Sequence, residues 1–463
     1  MLDFTKGTPW RLLLKFAVPM LIGNILMQLY NVADIYIVGN FLGTKALAAV
    51  GASSPVIFAL VSFIIGIATG CTIIIAQYFG AKNIKKVKRA IDTVIIFVLI
   101  AAFLITIIGL LLSEPLLRMV NTPDDVLTEA HIFFQINVIG IIPLFGINIL
   151  SSILRGLGDS KTPLYYMIVS SVLNVLLVLL FVPVLEWGIA GAGWATVLAQ
   201  LITAIAMIAW LNRKHSIIRI RFRPRNFDLD IFRNSIRIGL PNGVQQALVA
   251  VGMMALLRIV NIFDSDVLAA YSIAGRIDSL ASAPAMTFSM AIAAFVGQNV
   301  GARKFHRVSH GLRAALGIST VISLVISILI VVFRYTIMQW FATGAEINVI
   351  EIGSRYLLIV GTFYAVFSMM FVFNGVMRGA GDTVVSMFIT LLSLWLVRIP
   401  VATVLSRYMG PDGIWWAIPI GWVIGAIAAF LYYRTGRWKS KGVIKPNDPV
   451  LDAPLDIPGP VSN

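Results

Sequence analysis

Apolar residues recur along this chain in twelve stretches, near 14–38, 49–75, 90–112, 131–154, 163–185, 189–211, 233–260, 269–297, 313–333, 355–377, 384–405 and 414–433. A helix crosses a bilayer with about 20 such residues. The pattern therefore predicts an all-α membrane protein with twelve transmembrane helices. The polar connections are too short to hold a folded soluble domain.

The charges in those connections set an orientation. Alternate loops are basic: Lys82, Lys85, Lys86, Lys88 and Arg89, then Arg155 and Lys161, then Arg213, Lys214, Arg219, Arg221, Arg223 and Arg225. The series continues with Arg303, Lys304 and Arg307, then Arg378, then Arg434, Arg437, Lys439 and Lys441. The opposite loops hold acids such as Glu114, Asp124, Asp125, Asp264 and Asp266. Short Lys/Arg-rich loops stay on the cytoplasmic side. Both termini are accordingly expected in the cytoplasm, which an even number of spans also requires.

The second half of the chain repeats the first. "LAAVGASSP" from Leu47 resembles "LAAYSIAGR" from Leu268, and "LRGLGDSKTP" from Leu154 resembles "MRGAGDTVVS" from Met377. "AQYFGAKNIKKV" from Ala76 likewise resembles "VGQNVGARKFHRV" from Val296, and Pro19 and Pro241 stand at matching places. Several short matches at one offset of roughly 220 positions make a repeat. Six helices per half is an even number, so the halves enter the membrane from the same side. They are expected as two six-helix lobes related by a pseudo-two-fold along the membrane normal, with a substrate path between them. The expected division is an N-terminal lobe over 1–211, a basic linker over 212–231, a C-terminal lobe over 232–434 and a disordered tail over 435–463.

Composition agrees and narrows the function. The chain is 59% hydrophobic and 12% charged, about half the charged share of a soluble domain. Its net charge of +15 is accounted for by topology and anionic lipid headgroups, so nucleic acid is not expected as a partner. Cys71 is the only cysteine, which leaves no disulfide and no Cys-based metal cluster. The segment "MLDFTKGTPWRLLLKF" lacks the features of a secretory signal and reads as an interfacial lead-in to the first helix. His131, His215, His306 and His310 show no metal-ligand spacing, and no nucleophile–base arrangement is visible. No enzyme and no cofactor are expected.

The candidate chemistry lies inside the helices. Asp34 interrupts the first apolar run, and an intramembrane carboxylate is costly enough to mark an ion path. Burial favours its protonated form, while coordinating oxygens favour the charged form with Na⁺. The plainer reading is a hydrogen-bonded structural aspartate near the helix end. Pro19, about four turns earlier, removes a backbone hydrogen bond and can bend that helix. Arg276, Asp278 and Arg398 also sit at membrane depth, as candidates for pairing between helices or for facing a watery cavity. Gln28, Met253 and Met286 are candidates for the cavity wall, where flexible thioethers suit varied ligands. The two "RGxGD" turns, Arg155–Asp159 and Arg378–Asp382, read as tight turns whose aspartates cap the next helix.

Taken as a set, "QLYNVADIYIVGNFLGTKALAAVG", the "FGA" turn before a basic loop, "RGLGD" and "GIAGAGWAT" resemble the bacterial multidrug and toxic compound extrusion (MATE) family over about residues 10–435. The resemblance implies two lobes, a central cavity, and drug efflux in exchange for Na⁺ or H⁺. It places Asp34, Tyr30, Asn174 and Thr196 in an N-lobe cation site, with Pro19 at the helix bend. Where many members carry a second aspartate, this chain has Val178, and the runs "PNGVQQALVAVGMMALL" and "FYAVFSMMFVFNGV" of the seventh and tenth helices hold no acid. A single carboxylate holds Na⁺ less firmly, which favours H⁺. The expectation is a monomeric inner-membrane antiporter for amphipathic cationic compounds. A flippase for lipid-linked precursors is the rival, with Arg258, Arg276 and Arg398 as its possible anion contacts.

Overall fold

The computed structural model describes residues 1–120, 122–214, 218, 227–341 and 347–444, and every regular element among them is helical. Most of the basic linker and the tail from 445 lie outside the described residues. The chain begins with α1 (Pro9–Gly80), which contains the first two expected spans in one element. Between them the sequence pattern left a loop of about ten residues. The chain instead turns on Gly43 alone, at φ 79° and ψ −171°. That backbone is open to glycine and strained for other residues. Nothing approaches the position where a Cβ would sit, so any penalty there is purely backbone. Gly43→Ala is expected to cost about 1–3 kcal/mol, read as a lower melting temperature in detergent. Gly51→Ala, in the same helix and equally free of neighbours, should not lower it.

Next come α2 (Ile84–Leu111), α3 (Ser113–Met119), α4 (Asp124–Ile139), α5 (Ile141–Gly156), α6 (Lys161–Phe181), α7 (Gly188–Lys214) and α8 (Leu229–Val260). The second half continues with α9 (Ser265–Gly301), α10 (Phe305–Val332), α11 (Arg334–Phe341), α12 (Ile347–Gly361), α13 (Tyr364–Ala380) and α14 (Thr383–Leu391). A π-helical turn, Leu392–Arg398, joins α14 to α15 (Ile399–Met409), and α16 (Pro411–Thr435) follows. Among the described residues, ten helical stretches are long and apolar enough to span a membrane. The pairs α4–α5, bent by 42°, and α12–α13, bent by 49°, bring the number to twelve. The repeat shows in these details, since each half carries one bent pair, preceded by one short helix, α3 or α11. Apolar side chains such as Ile100, Phe103 and Leu104 on α2 and Val321, Val325 and Ile328 on α10 are exposed, as a hydrocarbon solvent requires.

Two compact units form, and they do not divide at the basic linker. The first includes Met1–Leu2 and Ile22–Gly243; the second comprises Asp3–Leu21 and Val244–Pro446. The start of α8 joins the first unit through glycine. Gly66 and Gly70 of α1 meet Gly243 and Gly239 of α8, backbone against backbone. A Cβ on Gly70 would stand 2.7 Å from Gly239 Cα, and one on Gly66 would overlap Gly243 N. Small residues four apart on both helices permit this close crossing.

The N-terminal segment joins the second unit as a buried peptide, where the sequence suggested an interfacial lead-in. Phe4 is fully buried between Phe16 and Phe295, at ring separations of 5.2 and 5.6 Å. Its N–H donates to Gln298 Oε1 at 2.9 Å, and its carbonyl accepts from Asn299 Nδ2 and Arg307 Nη2, each at 3.1 Å. The other end of the chain is also ordered past 435. Arg437–Ser440 forms a 3₁₀ turn, and Trp438 is buried, stacked on Tyr433 at 5.5 Å.

Candidate functional site

In the first unit, α1 carries Tyr30 and Asp34 four residues apart, hence on one face of the helix. Opposite them α6 supplies Asn174 and α7 supplies Thr196. Asn174 is buried, and its Nδ2 donates to Thr196 Oγ1 at 2.9 Å. Thr196 Oγ1 in turn donates to the carbonyl of Ala192 at 3.2 Å. Tyr30 lies within reach of both Thr196 and Asp34. Three helices thus bring together a carboxylate, an amide, a hydroxyl and a phenol. Asp34 Oδ1 and Asn174 Oδ1 are both buried and accept no hydrogen bond.

Buried acceptors without donors are costly, and a proton or a hard cation supplies what they lack. The donor set fits either ion. A cation would be held by Asp34 and neutral oxygens from Asn174, Thr196 and Tyr30. Val178, one turn beyond Asn174, is fully buried and apolar, so this position adds no second carboxylate. Among the described residues no group of three or more His, Cys, Asp or Glu side chains could hold a metal ion.

Pro19 is half-buried, and α1 passes it with helical backbone, the break in that element falling at Gly43. Gln28 is half-buried on the same helix, while Met253 and Met286 are exposed. Arg276 faces outward, away from Asp278 two residues later, as their spacing requires. Asp278 lies with Tyr364, Tyr356 and Arg398 inside the second unit. The tyrosines were missed in the sequence because aromatic residues are common throughout its apolar runs.

The two "RGxGD" aspartates do different work. Asp159 Oδ1 accepts from the backbone N–H of Lys161 and Thr162, at 3.0 and 3.1 Å, and so caps α6. Asp382 makes no such cap and instead accepts from Tyr432 Oη. The glycine pairs Gly66/Gly70 and Gly239/Gly243 were also overlooked, although their four-residue spacing is visible in the sequence.

The family model named MatE matches residues 19–180 and 241–404, one stretch in each half, beginning near the two repeat-related prolines. The chain belongs to the MatE family. It is 35% identical to "Probable multidrug resistance protein YpnP" of Bacillus subtilis, over 95% of this chain and 98% of that one. It is 26% identical to "Probable multidrug resistance protein NorM" of Thermotoga maritima, over 93% and 94% of the two chains. Among solved structures, a MATE protein in the bent conformation matches with TM-score 0.88 and 25% identity, over 94% of this chain and 96% of that one. This MatE protein is thus a multi-pass membrane protein of a transporter family, with the family's twelve-helix fold.

Proposed function

We propose that this MatE protein is a secondary active multidrug exporter of the bacterial inner membrane, with both termini in the cytoplasm. It exchanges amphipathic organic cations for H⁺ or Na⁺ by alternating access, as a monomer in contact with membrane lipids and with no cofactor. The observation that carries this reading is the cluster of Asp34, Asn174, Thr196 and Tyr30, with two buried oxygens that lack donors. The names of the similar proteins support multidrug export.

Exchange requires that ion and drug favour different states of the protein. An ion at Asp34 neutralises the carboxylate and ties α1 to α6 and α7. A cationic drug competes for the same negative charge. Pro19, where α1 lacks one backbone hydrogen bond, lets the start of that helix move when the Asp34 end is seized or released. A lone carboxylate favours H⁺ over Na⁺ as the coupling ion.

The test uses purified protein in liposomes loaded with a fluorescent cationic dye. A pH gradient and a Na⁺ gradient are imposed separately on wild type and Asp34→Asn. Dye movement driven by one gradient and lost in the variant is the expected outcome. Movement that persists in Asp34→Asn, or no movement in folded wild type under either gradient, would overturn the reading.

A further inference from the structure

The helix that carries Asp34 is gripped unequally along its length. Before Pro19, the side chains of Leu13, Phe16 and Ala17 on α1 are buried. From Val18 to Tyr36, Gly23 is the only buried residue among those described. Leu29, Val32 and Tyr36 in that half are exposed. The compact units divide at the same place, with Asp3–Leu21 in the second and Ile22 onward in the first. The helix therefore begins as part of one unit and continues as part of the other, the change falling just beyond Pro19.

Side chains from the end of α9 and the start of α10 clamp the segment that leads into this helix. Gln298, Asn299 and Arg307 hold the backbone of Phe4. Arg307 Nη2 also donates to the carbonyl of Gly7 at 2.8 Å, and Lys304 Nζ to that of Thr5 at 3.2 Å. Arg307 is fixed in turn, because its Nε donates to Asn299 Oδ1 at 3.2 Å. Within the segment, Asp3 Oδ1 accepts from the N–H and the hydroxyl of Thr5, at 2.9 and 2.6 Å. Gln298 and Asn299 are fully buried. Hydrogen bonds from charged donors are the stronger kind, so the clamp resists sliding of the segment as well as withdrawal of the Phe4 ring.

We propose that Gln298, Asn299, Lys304 and Arg307 are positioning residues for the exchange, which hold the start of α1 in the second unit while the Asp34 half changes its arrangement. The clamped segment is a fixed end, Pro19 a joint, and the sparsely packed half beyond it a lever. A bend at Pro19 is a relative movement of the two halves, and the clamp decides that the start travels with the second unit. An ion at Asp34 acts on the lever, and the clamp passes that pull to α9 and α10. Without the clamp, the start of α1 would follow the Asp34 half and the displacement would end in slippage of the helix. This role rests on the transport reading above; the exchange measurement that tests it needs no transport.

The test is hydrogen–deuterium exchange of purified full-length protein in detergent, which reports local opening segment by segment. Wild type is compared with Asp34→Asn, a stand-in for the neutralised carboxylate. Neutralisation should change exchange over residues 22–36 and leave residues 3–18 unaltered. Arg307→Ala removes bonds from a charged donor to two carbonyls, and should raise exchange over residues 3–8 about tenfold. With that clamp loosened, Asp34→Asn should alter residues 9–18 as well.

An equal response of 3–18 and 22–36 in the Arg307 background of the wild type would overturn the proposal. So would the absence of any response over 22–36, or a response in Arg307→Ala that still stops at Pro19. If Arg307→Ala does not fold, Gln298→Ala removes the acceptor of the Phe4 N–H and takes its place with the same expectations. In liposomes where the gradient drives dye, the Arg307→Ala protein should move less dye per ion. A protein that is only destabilised keeps that ratio at a lower total, so a wild-type ratio would also overturn the positioning role. Failure of gradient-driven transport in wild type, with the exchange pattern intact, would defeat the antiport reading and leave the clamped lever standing.

Discussion

Gly66→Ala is expected to lower the stability of the folded protein by about 1–3 kcal/mol. The added methyl would overlap the backbone N of Gly243, and Gly243 Cα and Asn242 C lie almost as near. A flexible side chain could swing away, but a helix backbone cannot. The two helices must therefore separate along the stretch where Gly70 also meets Gly239. Helices in a membrane hold together by close packing, since the surrounding lipid is as apolar as their side chains. Separation there forfeits contacts that no apolar driving force replaces. The measurement is thermal unfolding in detergent, with Gly51→Ala as the reference because nothing surrounds that position. If the two variants melted together, the glycine crossing would not be a point of tight contact.

Phe4→Ala should be more damaging, at about 3–5 kcal/mol for a buried phenylalanine. The ring is fully enclosed and packs on Phe16 and Phe295, so its removal leaves a cavity between rigid neighbours. The backbone of the segment remains gripped by Gln298, Asn299 and Arg307. Those hydrogen bonds prevent the segment from sliding to refill the hole. Phe103→Ala on α2, where the ring is exposed, is the reference for loss of a lipid-facing ring and should change little. A Phe4→Ala melting temperature equal to that of Phe103→Ala would show that the N-terminal segment contributes no packing energy.

Both outcomes concern contacts between residues far apart in the chain, and these were the least readable. Phe4 precedes the first apolar run, among polar and turn-forming residues, so local pattern marks it as a lead-in. Apart from Phe16, its pocket is made by residues nearly 300 positions later. The glycines at 66, 70, 239 and 243 could be recognised as two short motifs. Which helix each would meet was not written in either. The same holds around Asp278, where the acid and Arg398 stood out as charges in apolar runs while Tyr356 and Tyr364 did not. The Gly43 turn shows the opposite failure. A stretch read as a loop was mostly helix, because one residue with left-handed backbone replaced a whole connection.

The grouping of Asp34, Tyr30, Asn174 and Thr196 into one candidate site came from the family resemblance, whereas the sequence by itself determined the membrane class, the number and order of the spans and the repeat. Those properties follow from hydropathy, loop charge and motif identity, which are local or periodic and survive without coordinates. Tertiary structure alone decided which helices touch and which buried polar atoms lack partners. It also decided where the compact units divide, because the N-terminal segment and the start of α8 each pack away from their own half of the sequence. Satisfaction of a polar group depends on atoms brought within about 3 Å from distant parts of the chain. No pattern along one strand of sequence specifies that distance.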